Sequence, residues 1–385
     1  MTGPIYQTEP LLRAELIERP NRFIMHYRRG GEMGRAYVAN PGKMQEILVS
    51  GTTLLLARRP HTKVGVEVVG AHWERRWPGD EPRAVFLNTG LVNTLAERLL
   101  RRRLIAELED FEIERAEVKV GDSRFDFLLR RGEEKRLVEV KSVTLVEHGL
   151  AMFPDAATER GRRHVEELIE LDGQGTETTV LFIVQGEAEH FLPDLHNDLE
   201  FARTLRRASK TVELLPYVMA PRLDDENRLV FDGKPTRLEI PWERLGDGLE
   251  PIEDGGLYLA ILTLDEPVQL EIGRRGTRLY EPGHYIYIGS ARRNLTKRIE
   301  RHKRKRKRMH YHVDYLRQAA SRVQTFPNRN TTGECTLAAE VAALGERIPK
   351  FGSSDCRCEG HLVYCPEDPV RVGAFQKLLT SWRHR

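Results

Sequence analysis

The sequence predicts a multidomain α+β protein: a small β-barrel followed by two α/β domains of differing charge. Three observations carry this expectation. The 385 residues exceed a single core, which typically takes roughly 100 to 200. Hydrophobic residues make up 40% and charged residues 31%, so there is enough apolar material for cores beneath a heavily charged surface. The formal charge of +3 conceals a division near Gly255-Gly256, because residues 255 to 385 hold 24 Lys and Arg against 13 Asp and Glu, a net +11. Residues 1 to 254 hold 37 against 45, a net −8.

Residues 1 to 85 are expected to form the barrel. From residue 11 onward the short segments ELIERP, RFIMHYRR, RAYVAN, EILVSG and TTLLLARR are broken by Gly, Pro and Asn, the punctuation of short strands. The ANPGK segment reads as a tight loop, of the kind through which such barrels contact nucleic acid. The second domain, residues 86 to 230, opens on LVNTLAERLLRRRLIAELEDF, where Leu91, Leu95, Leu99 and Ile105 fall at helical spacing. Strands AEVKV, RFDFLL and RLVEVKSV follow, then helix ATERGRRHVEELIEL, strand TTVLFIVQ, helix DLEFARTLRRA and strand TVELLPYV. Residues 231 to 254 continue a stretch rich in Pro, Gly, Asp and Glu and are expected to link to a final domain at 255 to 385.

The first residues lack the apolar core of a signal peptide, and no window approaches the roughly 18 apolar residues of a membrane span. A cytoplasmic protein without a membrane partner is expected. All four cysteines, Cys335, Cys356, Cys358 and Cys365, lie in the basic part, which argues against a disulfide framework. Cys356, Cys358, His361 and Cys365 offer enough soft ligands for zinc, but their gaps are not a common finger spacing. Reduced cysteines packing the end of the domain are the preferred expectation. Nothing in the sequence sets an oligomeric state.

The chemistry centres on RLVEVK. Side chains alternate along a strand, so Leu137, Glu139 and Lys141 share one face. If RFDFLL and RLVEVK form a hairpin about Arg131-Gly132-Glu133-Glu134, Asp126 falls opposite Glu139. Like charges so placed are unfavourable unless a cation sits between them. Mg²⁺ or Mn²⁺ suits two carboxylates while keeping positions for water and phosphate oxygens. Lys141 could then orient the attacking water or stabilise the phosphate. An E-x-K triplet alone is weak, since a solvated hairpin face yields one equally well and Glu117-Val118-Lys119 is another.

The paired acids and the αβββαβ order resemble the PD-(D/E)XK nuclease core. The segments NRFIMHYRR, ANPGKM, VNTLAERL, RFDFLL, EVKSVTL and FPDAATERGRRHVEEL, in this order, resemble the sugar fermentation stimulation protein (SfsA) family over about residues 10 to 240. That resemblance implies an OB-like, DNA-binding barrel joined to a PD-(D/E)XK-like nuclease domain. In FPDAATERGRRHVEEL, Pro154 and Asp155 stand where a helix begins, and Arg160 and His164 share a helix face. These two could contact the scissile phosphate, or form an ordinary polar face; His164 as general base is the alternative to a metal-held water.

In the basic part, GLYLAIL, HYIYIGSARRNLTKRIERHKRKRKRMHYHVDYL, GECTLAAEVAAL and FGSSDCRCEGHLVYC resemble the GIY-YIG superfamily over roughly residues 255 to 366. The resemblance implies Tyr258, Tyr287 and Arg298 as catalytic groups and Glu334 as metal carboxylate, with Glu340 on the same helix as the competing choice. It departs from the pattern at Leu257, where Ile is usual, and in the added segment TLDEPVQLEIGRRGTRLYEPGH. His302 follows Arg298 by four residues, on one helix face, and is expected with the basic run to contact nucleic acid. Residues 292 to 308 hold 11 Lys and Arg with one acid, including Lys303, Arg304, Lys305 and Arg306. On a helix this run would present positive charge all round, suited to a phosphate backbone.

The function expected is a metal-dependent nuclease, a phosphodiester hydrolase, acting on DNA in preference to RNA. A DNA-binding regulator of sugar utilisation that does not cut is the rival. A third arrangement has the first site cutting and the basic domain only gripping.

Overall fold

We describe a computed structural model over residues 3–40, 42–44, 47–59, 63–73, 82–121, 123–245, 252–272, 276–353 and 356–384. The chain divides into two compact units, Met1–Glu250 and Pro251–Arg385. No helix among the described residues is long and apolar enough to cross a membrane.

After a short strand β1 (Tyr6–Gln7) come β2 (Leu12–Glu18), β3 (Ile24–Arg29), β4 (Glu32–Val38), β5 (Thr53–Arg58), β6 (Val66–Trp73) and β7 (Arg83–Phe86). Strands β2 to β6 close into a five-stranded barrel in the order β4-β3-β2-β5-β6, because β4 also pairs with β6 in parallel, Tyr37↔Glu67 and Val38↔Val68. Leu16, Met25, Val38, Leu54, Leu56 and Val68 fill it. The expected strand EILVSG does not form: Ile47 and Leu48 are buried in the same core, and Met44 has φ 45. An apolar run can be satisfied by plugging a barrel as well as by pairing within it.

Helix α1 (Thr89–Arg101) starts where the Asn88 side chain accepts from the Leu91 N–H at 3.2 Å. It ends well before the sequence pattern does, since Arg103 adopts φ 57 and a 3₁₀ turn, Ala106–Leu108, follows. Strands β8 (Glu112–Val120), β9 (Ser123–Arg131) and β10 (Glu134–Val143) form an antiparallel meander. Two short strands, β11 (Leu145–Glu147) and β12 (Leu150–Phe153), precede α2 (Glu159–Asp172). Then follow β13 (Glu177–Val184), β14 (His190–Pro193), α3 (Leu199–Ala208) and β15 (Glu213–Val218), and finally β16 (Arg222–Leu223), β17 (Leu229–Phe231) and β18 (Thr236–Arg237).

The main sheet runs β18-β15-β13-β10-β9-β8, parallel from β10 through β15. Alternation sorts β13 cleanly: Leu181 and Ile183 pack with α1, while Val180, Phe182 and Val184 pack with α2 and α3. Strands β11, β12 and β14 make a separate sheet the sequence pattern did not signal. The expected connector also carries structure. Strand β17 pairs with β1 through Tyr6↔Phe231, β18 pairs with β15, and the Tyr6, Phe86 and Phe231 rings cluster. Barrel and α/β layers therefore share one compact unit.

The second unit holds β19 (Gly256–Leu264), a hairpin of β20 (Val268–Glu271) and β21 (Thr277–Tyr280), β22 (Gly283–Ala291), α4 (Leu295–Lys303), α5 (His312–Ala319), β23 (Arg322–Arg329), α6 (Glu334–Val341), β24 (Glu346–Arg347), β25 (Leu362–Cys365) and α7 (Gly373–Arg383). The hairpin accommodates the added segment between the two tyrosine motifs. Its five-stranded sheet, β23-β19-β22-β25-β24, has helices on both faces. Tyr258, Ala260 and Leu262 pack with α4 and α5, whereas Leu257, Leu259 and Ile261 pack with α6 and α7.

Candidate functional site

The β9–β10 register pairs Leu137↔Leu128 and Val138↔Phe127. One further step sets Asp126 across from Glu139, as the hairpin predicts, but regular pairing stops there. Instead the Asp126 carboxylate turns to the neighbouring backbone: Oδ2 accepts from the Val140 N–H at 2.7 Å and Oδ1 from Asn93 Nδ2 at 2.6 Å. Asn93 comes from α1, so the aspartate is held by both the helix and strand β10.

Glu139 is buried, and its Oε1 takes both the Lys141 ammonium and His164 Nδ1, the latter at 2.7 Å. Among the described residues, its Oε2 is buried with no hydrogen-bond partner. Burial and the adjacent Glu139 charge raise the Asp126 carboxyl to about 6. Burial would raise Glu139 too, yet the Lys141 ammonium and His164 outweigh it and hold the group below the ordinary glutamate value. Two acids are thus kept together at the cost of mutual repulsion, with one carboxylate oxygen left unsatisfied.

These groups line a cleft of about 610 Å³. Arg160, exposed, lines it from α2, and the barrel contributes Arg22, Asn40 and Gly42. Gly42 in the ANPGK loop lies so near the Asp155 carboxylate that a Cβ there would collide with it. Asp155 is not the helix cap: Thr158 takes that role, accepting from the Gly161 N–H at 3.0 Å. Burial pushes the Asp155 carboxyl up, and Asp194 adds to the effect. His164, at 3% exposure, braces Glu139, and of the two α2 residues expected at a phosphate Arg160 is the exposed one. Asn93 was missed by sequence reasoning, although a polar residue between buried Val92 and Leu95 was the available signal. The competing triplet is a surface feature, since Glu117 is exposed and pairs with Arg124 at 3.0 Å.

In the second unit, Tyr258 and Tyr287 lie with ring centroids 6.2 Å apart, and Tyr258 Oη is 2.9 Å from His302 Nε2. Tyr258 sits across from Gly289, where a Cβ would strike its hydroxyl. Burial pushes both phenols up, with the Glu334 charge adding and Arg298 opposing. A standing phenolate is therefore disfavoured at either ring. Arg298 lies over the Tyr311 ring, 4.8 Å from its centroid. Glu334 accepts from Ser290 Oγ and stands 2.9 Å from His361 Nδ1; burial would raise it, but these two partners hold it low. Glu340 instead accepts from Trp382 Nε1 at 2.6 Å, away from this cluster.

The basic run is not one helix. Helix α4 ends at Lys303, and Arg304 is extended. Lys303, Arg304, Lys305 and Arg306 are exposed, whereas buried Asp314 engages Arg301 and Lys307, each at 2.8 Å. His302 is 2% exposed and faces the tyrosines, so it is no part of the exposed basic surface expected of it. Among the cysteines, Cys365 is buried in the apolar core, with Sγ 3.5 Å from Leu344 O. It does not join Cys356, Cys358 and His361; Cys335, which sequence spacing did not single out, does.

Three families match the chain: the SfsA N-terminal OB domain over residues 17–77, the sugar fermentation stimulation protein RE domain over 90–225, and a domain of unknown function, DUF123, over 257–383. A sugar fermentation stimulation protein homolog of Methanothermobacter thermautotrophicus is 39% identical over 235 residues, covering 60% of this chain and 94% of that protein. One from Chloroflexus aurantiacus is 37% identical over 218 residues, covering 56% and 82%. A solved structure, that of Pyrococcus furiosus SfsA in complex with Ca²⁺, is 26% identical with a TM-score of 0.55, covering 62% of this chain and 98% of that one. With its barrel, its α/β layers and these relatives, the chain belongs to the sugar fermentation stimulation protein family and carries a DUF123 domain besides.

Proposed function

We propose that the cleft of the first unit binds a nucleic-acid strand, DNA in preference to RNA, and hydrolyses its phosphodiester backbone with a divalent cation held by Asp126 and Glu139. The observation that carries this reading is the buried Oε2 of Glu139, without a partner among the described residues, beside an aspartate whose carboxyl burial and the glutamate charge raise. Such an arrangement is costly in an apolar interior unless a cation joins it. A bound Mg²⁺ or Mn²⁺ supplies charge neutralisation of the phosphate and a more acidic water. The Ca²⁺ named for the Pyrococcus relative supports a hard, oxygen-liganded cation in this family, and OB architectures commonly bind nucleic acid.

The chain's own residues divide the remaining work. His164 and Lys141 fix the rotamer of Glu139, and Asn93 and the Val140 N–H fix Asp126. Lys141 places a positive charge beside the acids, where a phosphate gains charge through hydrolysis. Arg160 and Arg22 line the cleft with guanidinium groups suited to a phosphate backbone. For the second unit, the exposed cations Lys303, Arg304, Lys305 and Arg306 suit gripping the strand.

The test measures Mg²⁺-dependent cleavage of single-stranded and duplex DNA and RNA by wild type, Lys141→Ala, Tyr287→Phe and the double variant. Cleavage should fall by about 10²-fold or more in Lys141→Ala and stay near wild type in Tyr287→Phe. Metal-independent activity, or none on any substrate, would overturn the nuclease reading. Activity retained by Lys141→Ala and lost in Tyr287→Phe would transfer it to the second unit.

A further inference from the structure

Three thiols and one imidazole meet in the second unit. Cys335 lies in the first turn of α6, Cys356 and Cys358 lie between β24 and β25, and His361 directly precedes β25. One donor atom from each, three Sγ and a ring nitrogen, all fall within 4.8 Å of one another. Cys356 Sγ stands 3.6 Å from His361 Nε2. A tetrahedral ion with Zn–S of about 2.3 Å and Zn–N of about 2.0 Å separates sulfur from nitrogen by about 3.5 Å, close to that distance.

A second observation points the same way. The other ring nitrogen of His361, Nδ1, lies 2.9 Å from Glu334 Oε1. That contact fixes the tautomer and leaves the Nε2 lone pair turned toward the thiols, the carboxylate–histidine arrangement that orients zinc ligands. Packing alone does not account for the cluster. Cys335 is exposed and Cys356 and Cys358 are only half-buried, whereas cysteines that serve as small apolar residues are buried. Cys365 in the same unit is such a residue and stays outside the cluster.

We propose that Cys335, Cys356, Cys358 and His361 bind one Zn²⁺ as a closed, structural site. Four protein ligands leave no position for substrate, so the ion's work is to fasten the first turn of α6 to the 356–361 segment. Through His361 it also sets the orientation of Glu334, whose neighbour in sequence is itself a ligand. The proposal is independent of whether either unit cuts nucleic acid.

The test is metal analysis of the full-length chain, purified without chelator and then stripped of loosely held ions. Plasma mass spectrometry should find about one zinc per chain in wild type and in Cys365→Ser, and a loss of most of it in Cys335→Ser and Cys358→Ser. In case a variant fails to fold, the wild type is also titrated with a mercurial reagent, which should release zinc to a colorimetric indicator as the thiols react. Refilled with Co²⁺ after chelation, it should give the visible absorption of a tetrahedral, thiolate-rich site. A wild-type chain that holds no zinc after incubation with excess, one that holds iron instead, or zinc lost from Cys365→Ser would each overturn the assignment.

Discussion

At Asp126, burial and the neighbouring Glu139 charge act in the same direction, bringing the carboxyl to about 6. A raised carboxyl contributes stability below the ordinary aspartate range, and that contribution is lost as pH rises through about 6. A cation needing the carboxylate gains over the same interval. With endogenous metal removed, calorimetric Mn²⁺ affinity should rise about tenfold per pH unit below pH 6 and level off above it. Asp126→Asn should abolish that slope, and a flat profile in the wild type would exclude Asp126 as a ligand. The grouping of Asp126, Glu139 and Lys141 was legible in the sequence because strand periodicity and the Arg131–Glu134 loop together fix which side chains meet. The inward turn of His164 was not. Helical spacing tells which residues are neighbours on a helix, and leaves open which polar one the packing will bury against Glu139.

Among elements, α4 departs most from its sequence pattern. In RHKRKRKR, cations three and four residues apart repel one another along a helix, and the chain leaves helical geometry at Arg304. Two of these cations then find a fixed partner in Asp314, whose carboxylate burial would raise but which His302, Arg301 and Lys307 hold far below its usual range. The run thus splits into a structural pair and an exposed group. Replacing Arg304, Lys305 and Arg306 by Ala should flatten the salt dependence of nucleic-acid binding, lowering the log–log slope by about 2 to 3 in fluorescence anisotropy. An unchanged slope would remove these residues from the interface. Helices α2 and α3 and strands β9, β10, β13 and β15 were all legible, each having a strong period and clear flanking breaks. Strands β11, β12 and β14 were not, since three or four residues hold too little periodicity to stand out.

For the whole molecule, the matched Methanothermobacter relative is covered over 94% of its own length by 60% of this chain. The first unit therefore has the extent of a protein that exists without the second. A fragment of residues 1 to 250 should unfold in one cooperative calorimetric transition and keep the cation affinity of the full chain. A fragment without such a transition would mean that the first unit needs the second to fold. The charge division at Gly255-Gly256 was legible from composition, but the union of barrel and α/β layers was not, because the pairing responsible joins distant strands. Tyr6↔Phe231 has a consequence for the order of events during synthesis. The barrel strands, all within residues 12 to 73, can pair early on the ribosome, while β1 must wait until residue 231 has emerged. Until then Tyr6 and Phe86 lack the third ring of their cluster, and the last step in folding the first unit falls to strands at the edge of the segment that sequence alone presented as a linker.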